Sequence, residues 1–240
     1  MFARISPELR MTSKLKTGNE LFDQWPDRYD SWFKTPIGSL VKKYETDLLV
    51  EMLQPGKGDV ILDVGCGTGV FTRDVLSRGS RLVGLDISFP MLLQAVKKIS
   101  EQPFAAIAGD MTSLPFPACT FDKVYSMTAL EFVTDAAQAV DELNRVARVG
   151  ATIVLTTLNS LSPWAEQRKK KAEDGHSLFQ SMTFRSPQEL LRITPAGSTA
   201  KTAIHFLKND NPADVPRIEE QGMNDEIDTG AFLAVSWIKQ

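Results

Sequence analysis

The stretch Val60-Ile61-Leu62-Asp63-Val64-Gly65-Cys66-Gly67-Thr68-Gly69 decides how this chain folds. A short apolar run rich in β-branched residues reads as a strand buried on both faces. Three glycines at alternate positions then read as a turn that brings the backbone close to something else. The strand is expected over 59–65, with a helix over about 70–77 directly after the turn. Downstream, Arg81-Leu82-Val83-Gly84-Leu85-Asp86 is a second such strand, and Ser88 is placed to cap the helix that follows it. Further strands are read at 104–108 (FAAIA), 121–127 (FDKVYSM) and 151–158 (ATIVLTTL). Between the last two, a helix over about 135–148 buries Ala136, Val140, Leu143 and Ala147, and Gly150 is expected to close it. Upstream, Ile37, Leu40, Val41, Tyr44, Leu48 and Met52 recur at steps of three and four behind Pro36, and Pro55-Gly56 stops that helix. Short buried strands separated by helices require a parallel sheet covered on both faces, so the fold class is doubly wound α/β.

After Leu158 the alternation lapses. Residues 159–185 read as helix and loop without a strand, and Ser186-Pro187-Gln188-Glu189 is a capping box that opens a short helix. Two strands, 202–208 (TAIHFLK) and 231–239 (AFLAVSWIK), are expected to form an antiparallel hairpin. Their polar, Pro/Gly-punctuated connection is read as too irregular for a helix. The whole is a Rossmann-like, seven-stranded, mostly parallel sheet with an antiparallel C-terminal hairpin. The 240 residues are read as one domain, with residues 1–34 as an N-terminal arm and covering segment and residues 159–195 as an insertion. No internal repeat is present.

Composition excludes several classes. With 42% hydrophobic and 24% charged residues the chain is of ordinary globular make-up, and no run of about eighteen apolar residues could span a bilayer. The first twenty residues lack the apolar core of a signal peptide, which argues for a cytoplasmic protein with a loose N-terminal arm. Cys66 and Cys119 have neither a disulfide framework nor metal-ligand spacing, so no metal is expected. A formal charge of −3 gives no general attraction to nucleic acid, although Arg168 to Lys171 is locally basic.

A glycine-rich strand-to-helix turn alone says no more than nucleotide or dinucleotide. Three features sharpen it. Asp86 ends the second strand, 17 residues beyond Gly69, where a carboxylate reaches a ribose diol. The turn is G-x-G-x-G behind an acidic residue, and Asp63 suits a cationic amino group better than a pyrophosphate. Gly109-Asp110-Met111 follows the third strand, where Asp110 can accept from an adenine amino group and Met111 can pack on the ring.

With these in place, VILDVGCGTG (60–69), GLDIS (84–88), GDMTSLPF (109–116) and FDKVYSMTALEFV (121–133) resemble the successive motifs of class I S-adenosylmethionine-dependent methyltransferases. The resemblance is nearest the ubiquinone and menaquinone C-methyltransferases and covers about residues 25–160. It implies S-adenosylmethionine as cofactor, S-adenosylhomocysteine as product and a small-molecule acceptor. It implies that Gly65, Gly67 and Gly69 contact the methionine part, Asp86 the ribose, Ile87 and Met111 the adenine faces, and Asp110 the adenine amino group. Cys66, Met91 and Gly109 fall in the same cofactor set, and Met127 and Leu130 line the floor near the sulfonium. Tyr29-Asp30, with Trp32 and Phe33, matches a pair in a covering helix, so Tyr29 is expected at the cofactor's amino-acid end. The sequence departs from the pattern at Phe132, where many relatives carry histidine, and at Arg148-Val149-Gly150 before the fifth strand. Glu131 is left as the candidate catalytic group.

Each residue also has a plainer reading. Asp86 and Asp110 could be helix N-caps, Glu131 a solvated or structural carboxylate, and His176 and His205 a surface and a structural histidine. Arg168 to Lys171 reads as a solvated helix face or as an attraction for an acidic substrate. Trp164, Phe179, Met182 and Phe184 either wall an acceptor pocket or pack the insertion onto the sheet. Two other functions fit the same pattern: a nicotinamide-dependent oxidoreductase, against which the short turn and Asp63 argue, and a non-catalytic binding protein of methyltransferase fold.

Overall fold

The computed structural model describes residues 20–23 and 25–240. The arm read over 1–20 lies almost wholly outside the described residues. Alternation becomes β1 (Val60–Val64), α4 (Thr72–Leu76), β2 (Arg81–Asp86), α5 (Phe89–Lys98), β3 (Phe104–Ala108), β4 (Phe121–Ser126), α6 (Ala136–Val146) and β5 (Ala147–Leu158). Ahead of these come α1 (Glu20–Asp23), α2 (Pro26–Trp32) and α3 (Pro36–Leu53). After β5 follow α7 (Pro163–Glu173), α8 (Ser177–Gln180), α9 (Pro187–Ile193), β6 (Thr199–Ala203), α10 (Val215–Asn224) and β7 (Phe232–Ile238).

The seven strands are ordered β3-β2-β1-β4-β5-β7-β6. All pairs from β3 to β5 are parallel, and β7 alone is reversed, antiparallel to both β5 and β6. Successive side chains of a strand point to opposite faces, and each face has its own core. Ile61, Tyr125, Val154 and Phe232 pack with Val41, Leu48 and Leu49 of α3 on one side. Leu62, Val124, Ile153 and Leu155 pack with Val140 and Leu143 of α6 on the other. From β1 the chain runs outward through β2 and β3, then returns to lay β4 on the opposite flank of β1. This reversal opens a crevice at the carboxyl ends of β1 and β4, the place where ligands of open α/β sheets sit.

Ser88 and Ser186 start helices where the sequence places them, and Thr35, Asp135 and Ser162 add three caps that the sequence reading does not name. Thr35, Ser88, Asp135, Ser162 and Ser186 each accept a backbone N–H as N-caps, and Ser186 with Glu189 completes the capping box. Such a cap contributes about 1 kcal/mol.

Three expectations need correction. Gly150 does not close a helix: α6 stops at Val146, β5 starts at Ala147, and Gly150 sits at positive φ where the register with β4 shifts, donating to the Lys239 carbonyl. The sixth strand lies at 199–203, earlier than read, so His205 follows the strand instead of alternating within it. The last connection holds a helix, α10, with Pro216 in its first turn. Gly222 inside it is a packing glycine, since a Cβ there would stand 2.3 Å from the His205 ring. Glu219 of α10 accepts from the backbone N–H groups of Ile204 and His205 and so ties the helix to the end of β6.

Candidate functional site

One cavity of about 1050 Å³ opens at the switch point and runs from the glycine turn to the stretch after β5. Gly65 and Gly67 line its inner end, and the two need glycine for different reasons. Gly65 has φ +76°, and a Cβ would stand 2.4 Å from that of Ala129 in the loop after β4. Gly67 has φ +53°, and a Cβ would enter open space, so its backbone edge is left bare toward the cavity. Gly69 also has positive φ, but it packs on Ile99 and does not face the cavity.

Asp86 ends β2 at the same wall. Its Oδ2 accepts the Gly67 N–H at 2.7 Å and its Oδ1 accepts the Ser88 N–H at 2.8 Å. The N-cap of α5 is Ser88, so Asp86 is not a cap. Burial pushes its carboxyl upward, and the backbone donors of Ser88 and Gly67 oppose that shift. A carboxylate carries about four acceptor sites, so two remain for a ligand. Ile87, Met91, Gly109, Asp110 and Met111 complete this end. Asp110 is not a helix cap either: its Oδ1 accepts from the N–H and hydroxyl of Thr112, both at 2.8 Å, within a short turn.

Asp63 and Cys66 lie beneath the turn and do not line the cavity. Asp63 Oδ2 accepts from the hydroxyls of Thr72, at 2.6 Å, and Tyr125, at 2.7 Å. Its Oδ1 is buried with no partner among the described residues. Burial raises the Asp63 carboxyl to about 7. Met127 is on the wall, whereas Leu130 is fully buried in the sheet core and off it.

The N-terminal segment forms a cover held by three carboxylates. Asp23 accepts from the Ser88 hydroxyl at 2.7 Å and Asp27 from the Gln94 amide at 2.9 Å. Asp30 accepts from the Thr68 hydroxyl, at 2.6 Å, and from Lys98. The cover is thereby fastened to the glycine turn and to α5. Tyr29, on the cavity side, has its hydroxyl pushed well up by burial, with Glu45 and Glu131 adding to the rise. The ring of Tyr29 meets Phe33 edge-on at 5.1 Å, and Phe33 meets Phe71 behind the glycine turn.

The outer end is apolar and aromatic but contains buried charge. Trp164, Phe179 and Met182 line it, as does Phe132, while Phe184 does not. Glu131 sits on a 3-10 turn after β4 (Leu130–Phe132) and is 1% exposed. Its Oε1 accepts the Leu158 N–H at 3.2 Å, and its Oε2 has no partner among the described residues. Burial lifts this carboxyl to about 7, against the pull of the backbone N–H groups of Glu131 and Leu158 and of the charges on Arg168 and Arg185. Glu131 is therefore neither solvated nor fully satisfied.

Two further charged residues belong to this end: Glu45, which the sequence reading does not include, and Arg168, from the basic run that reads alternatively as an attraction for an acidic substrate. Glu45 of α3 lines the cavity and is lifted to about 8 by burial. A carboxylate on the apolar face of a helix, between Val41 and Leu48 or Leu49, was the available signal. Arg168 of α7 also lines the cavity, with its guanidinium 5.4 Å from the Trp164 ring centre, so it is not part of a solvated face. Lys169 and Lys170 of the same run are exposed. His176 is exposed and stacks on Phe179, with ring centres 4.3 Å apart, and His205 packs against Glu219 away from the cavity. Among the described residues no cluster suited to a metal ion occurs, and no helix is long and apolar enough to cross a membrane.

Residues 62–155 match the model of a family described as a methyltransferase domain. Over 120 residues the chain is 34% identical to malonyl-[acyl-carrier protein] O-methyltransferase of Pseudescherichia vulneris, a match covering 50% of this chain and 47% of that protein. It is 32% identical over 145 residues to demethylmenaquinone methyltransferase of Thermobifida fusca, covering 59% of this chain and 61% of the other. The chain thus spans about half to three fifths of the length of these curated relatives. In structure it is similar to an S-adenosylmethionine-dependent methyltransferase from Thermotoga maritima, with a TM-score of 0.66 at 20% identity, covering 92% of this chain and 98% of that one.

Proposed function

We propose that this chain, a class I S-adenosylmethionine-dependent methyltransferase in domain and in fold, transfers the methyl group of that cofactor to a small molecule held in the outer half of the cavity. The observation that carries the reading is the continuity of the cavity. The bare backbone of Gly67 and the carboxylate of Asp86 stand at one end, and the unpartnered Glu131 Oε2 stands at the other.

The residues present fit the cofactor. Gly67 leaves room for its methionine part, with Gly65 lining the same wall, and the two free acceptor sites of Asp86 match a ribose diol. Ile87, Met91 and Met111 offer apolar surface to an adenine, with Asp110 at its amino edge. Tyr29 closes over the amino-acid end, and Asp63, off the cavity, braces the turn from beneath through the hydroxyls of Thr72 and Tyr125. S-adenosylmethionine, when bound, would supply a methyl carbon open to in-line attack by the acceptor, with the sulfur leaving as the neutral thioether of S-adenosylhomocysteine.

The chain's own work is positioning, exclusion of water and handling of one proton. Well-oriented reactants reach effective molarities of roughly 10⁵ M or more, so alignment alone supplies much of the acceleration. The cover fastened by Asp23, Asp27 and Asp30 removes water from the inner end. Glu131, with its carboxyl raised to about 7 and one oxygen unpaired, is poised to accept an acceptor's proton near neutral pH.

The test is turnover with radiolabelled S-adenosylmethionine against a panel of small acceptors bearing hydroxyl, amine, thiol, carboxyl and activated-carbon positions. Label moving into an extractable product supports the reading. Cofactor binding without transfer to any acceptor would favour a non-catalytic binding protein.

A further inference from the structure

The outer half of the cavity holds a cation, Arg168, close enough to Glu45 and Glu131 to act on both carboxyls but hydrogen-bonded to neither among the described residues. Arg168 of α7 lines a largely apolar wall, and its Nη1 is buried with no hydrogen-bond partner among the described residues. Arg168 is half-buried overall, but a buried, unmatched N–H at Nη1 is costly, because it loses its water without gaining an acceptor. Its stacking on Trp164 compensates only in part.

Resting on the methyltransferase reading, we infer that Arg168 is the anchor for a carboxylate on the methyl acceptor, and that the acceptor is a small acid with an aromatic or other flat apolar body. The planar fork of a guanidinium matches the two oxygens of a carboxylate, a fit an ammonium cannot reproduce. Trp164, Phe179 and Met182 supply the apolar wall for the body of such a molecule. Lys171, one turn from Arg168 on the same helix, stands at the cavity rim and adds positive charge at the entrance.

Two carboxyl groups share this space and could reverse the preference. Glu45 and Glu131 both line the cavity, and if both were ionised the pocket would favour a cation. Burial opposes that state, lifting Glu45 to about 8 and Glu131 to about 7, whereas an arginine keeps its charge throughout. At neutral pH the balance lies with Arg168. Among the described residues neither carboxylate forms an ion pair with it, and its Nη1 is left without a partner.

The experiment is calorimetric titration of the protein loaded with S-adenosylhomocysteine. The probes are benzoate, phenylacetate, 3-phenylpropionate and 4-phenylbutyrate, each beside its primary amide and the amine of matched length. At least one carboxylate is expected to bind about tenfold more tightly than its amide and its amine. Arg168→Met, which keeps an unbranched apolar stem and removes the charge, is expected to abolish that preference while S-adenosylhomocysteine affinity stays within about twofold. Arg168→Lys is expected to retain only part of it. Equal binding of acids and amides, preference for the amines, or binding of none of the probes overturns the inference and leaves the methyltransferase reading intact, as does preference undiminished in Arg168→Met. Failure of S-adenosylhomocysteine itself to bind overturns both.

Discussion

The carboxylate of Asp86 accepts the backbone N–H of Gly67 at 2.7 Å, joining the end of β2 to the middle of the glycine turn. The wall residue and the bare backbone beside it are therefore one rigid unit. Asp86→Ala removes the acceptor sites for a ribose and the bond that shapes the turn. Its affinity for S-adenosylhomocysteine should fall at least about tenfold, or about 1.4 kcal/mol, in a calorimetric titration. Unchanged affinity would remove Asp86 from the cofactor site.

Gly67→Ala offers an independent check on the same wall. The added methyl meets no protein atom within 4 Å but enters the cavity, and φ of +53° is strained for alanine. Folding should be lowered by only about 1 kcal/mol, while cofactor binding is lost far more steeply. A thermal melt without ligand, set beside a titration, separates the two effects.

Asp30 holds the cover by accepting from Thr68 and Lys98, and Lys98 is only partly exposed. Asp30→Ala should release α2 from the turn, with a loss of about 1 kcal/mol in cofactor binding, roughly fivefold. Most of that should be faster dissociation, read from tryptophan fluorescence of Trp25 and Trp32 in a stopped-flow displacement. An unaltered off-rate would mean that the cover does not guard the cofactor.

Glu131→Gln keeps the shape of the outer wall and removes its proton acceptor. For an acceptor that must lose a proton, kcat should fall about a hundredfold or more with S-adenosylhomocysteine affinity unaffected. In the parent protein kcat should rise with pH through about 7 as Glu131 ionises, and the variant should lose that limb. A variant with full kcat would assign Glu131 a structural role.

Three buried carboxyls also set the pH dependence of stability. Burial holds Glu45 near 8 and both Asp63 and Glu131 near 7, all above their unfolded values. The folded chain therefore binds more protons than the unfolded chain between about pH 4 and 8, and stability falls as pH rises through that window. At roughly 2–4 °C per kcal/mol for a chain of this size, the melting midpoint should drop by several degrees from pH 5.5 to 8. Glu45→Gln should flatten the slope and melt above the parent at pH 8.

The parallel half of the sheet was legible because its signals are local. The observed limits of β2 and β3 coincide with those read from the apolar runs, and the N-cap at Ser88 and the capping box at Ser186 lie where serine was placed for them. The C-terminal part resisted for a physical reason. Pro216 and Gly222 look like breakers, but one occupies a tolerated first turn and the other makes room for the His205 ring. At the site, the turn and Asp86 declared themselves by spacing. Leu130 was misplaced because a 3-10 turn after β4 sends it into the core while turning Glu131 toward the cavity. Glu45 and Arg168 belong to helices far apart in sequence, and only the packing of α3 and α7 brings them to one wall.

The most direct measurement is calorimetric titration of the purified protein with S-adenosylmethionine, S-adenosylhomocysteine and NADH. Micromolar binding of both sulfur compounds and none of NADH is the predicted result. Silence from both, or tight binding of NADH, would contradict the assignment of the glycine turn, Asp86 and Asp110 to S-adenosylmethionine.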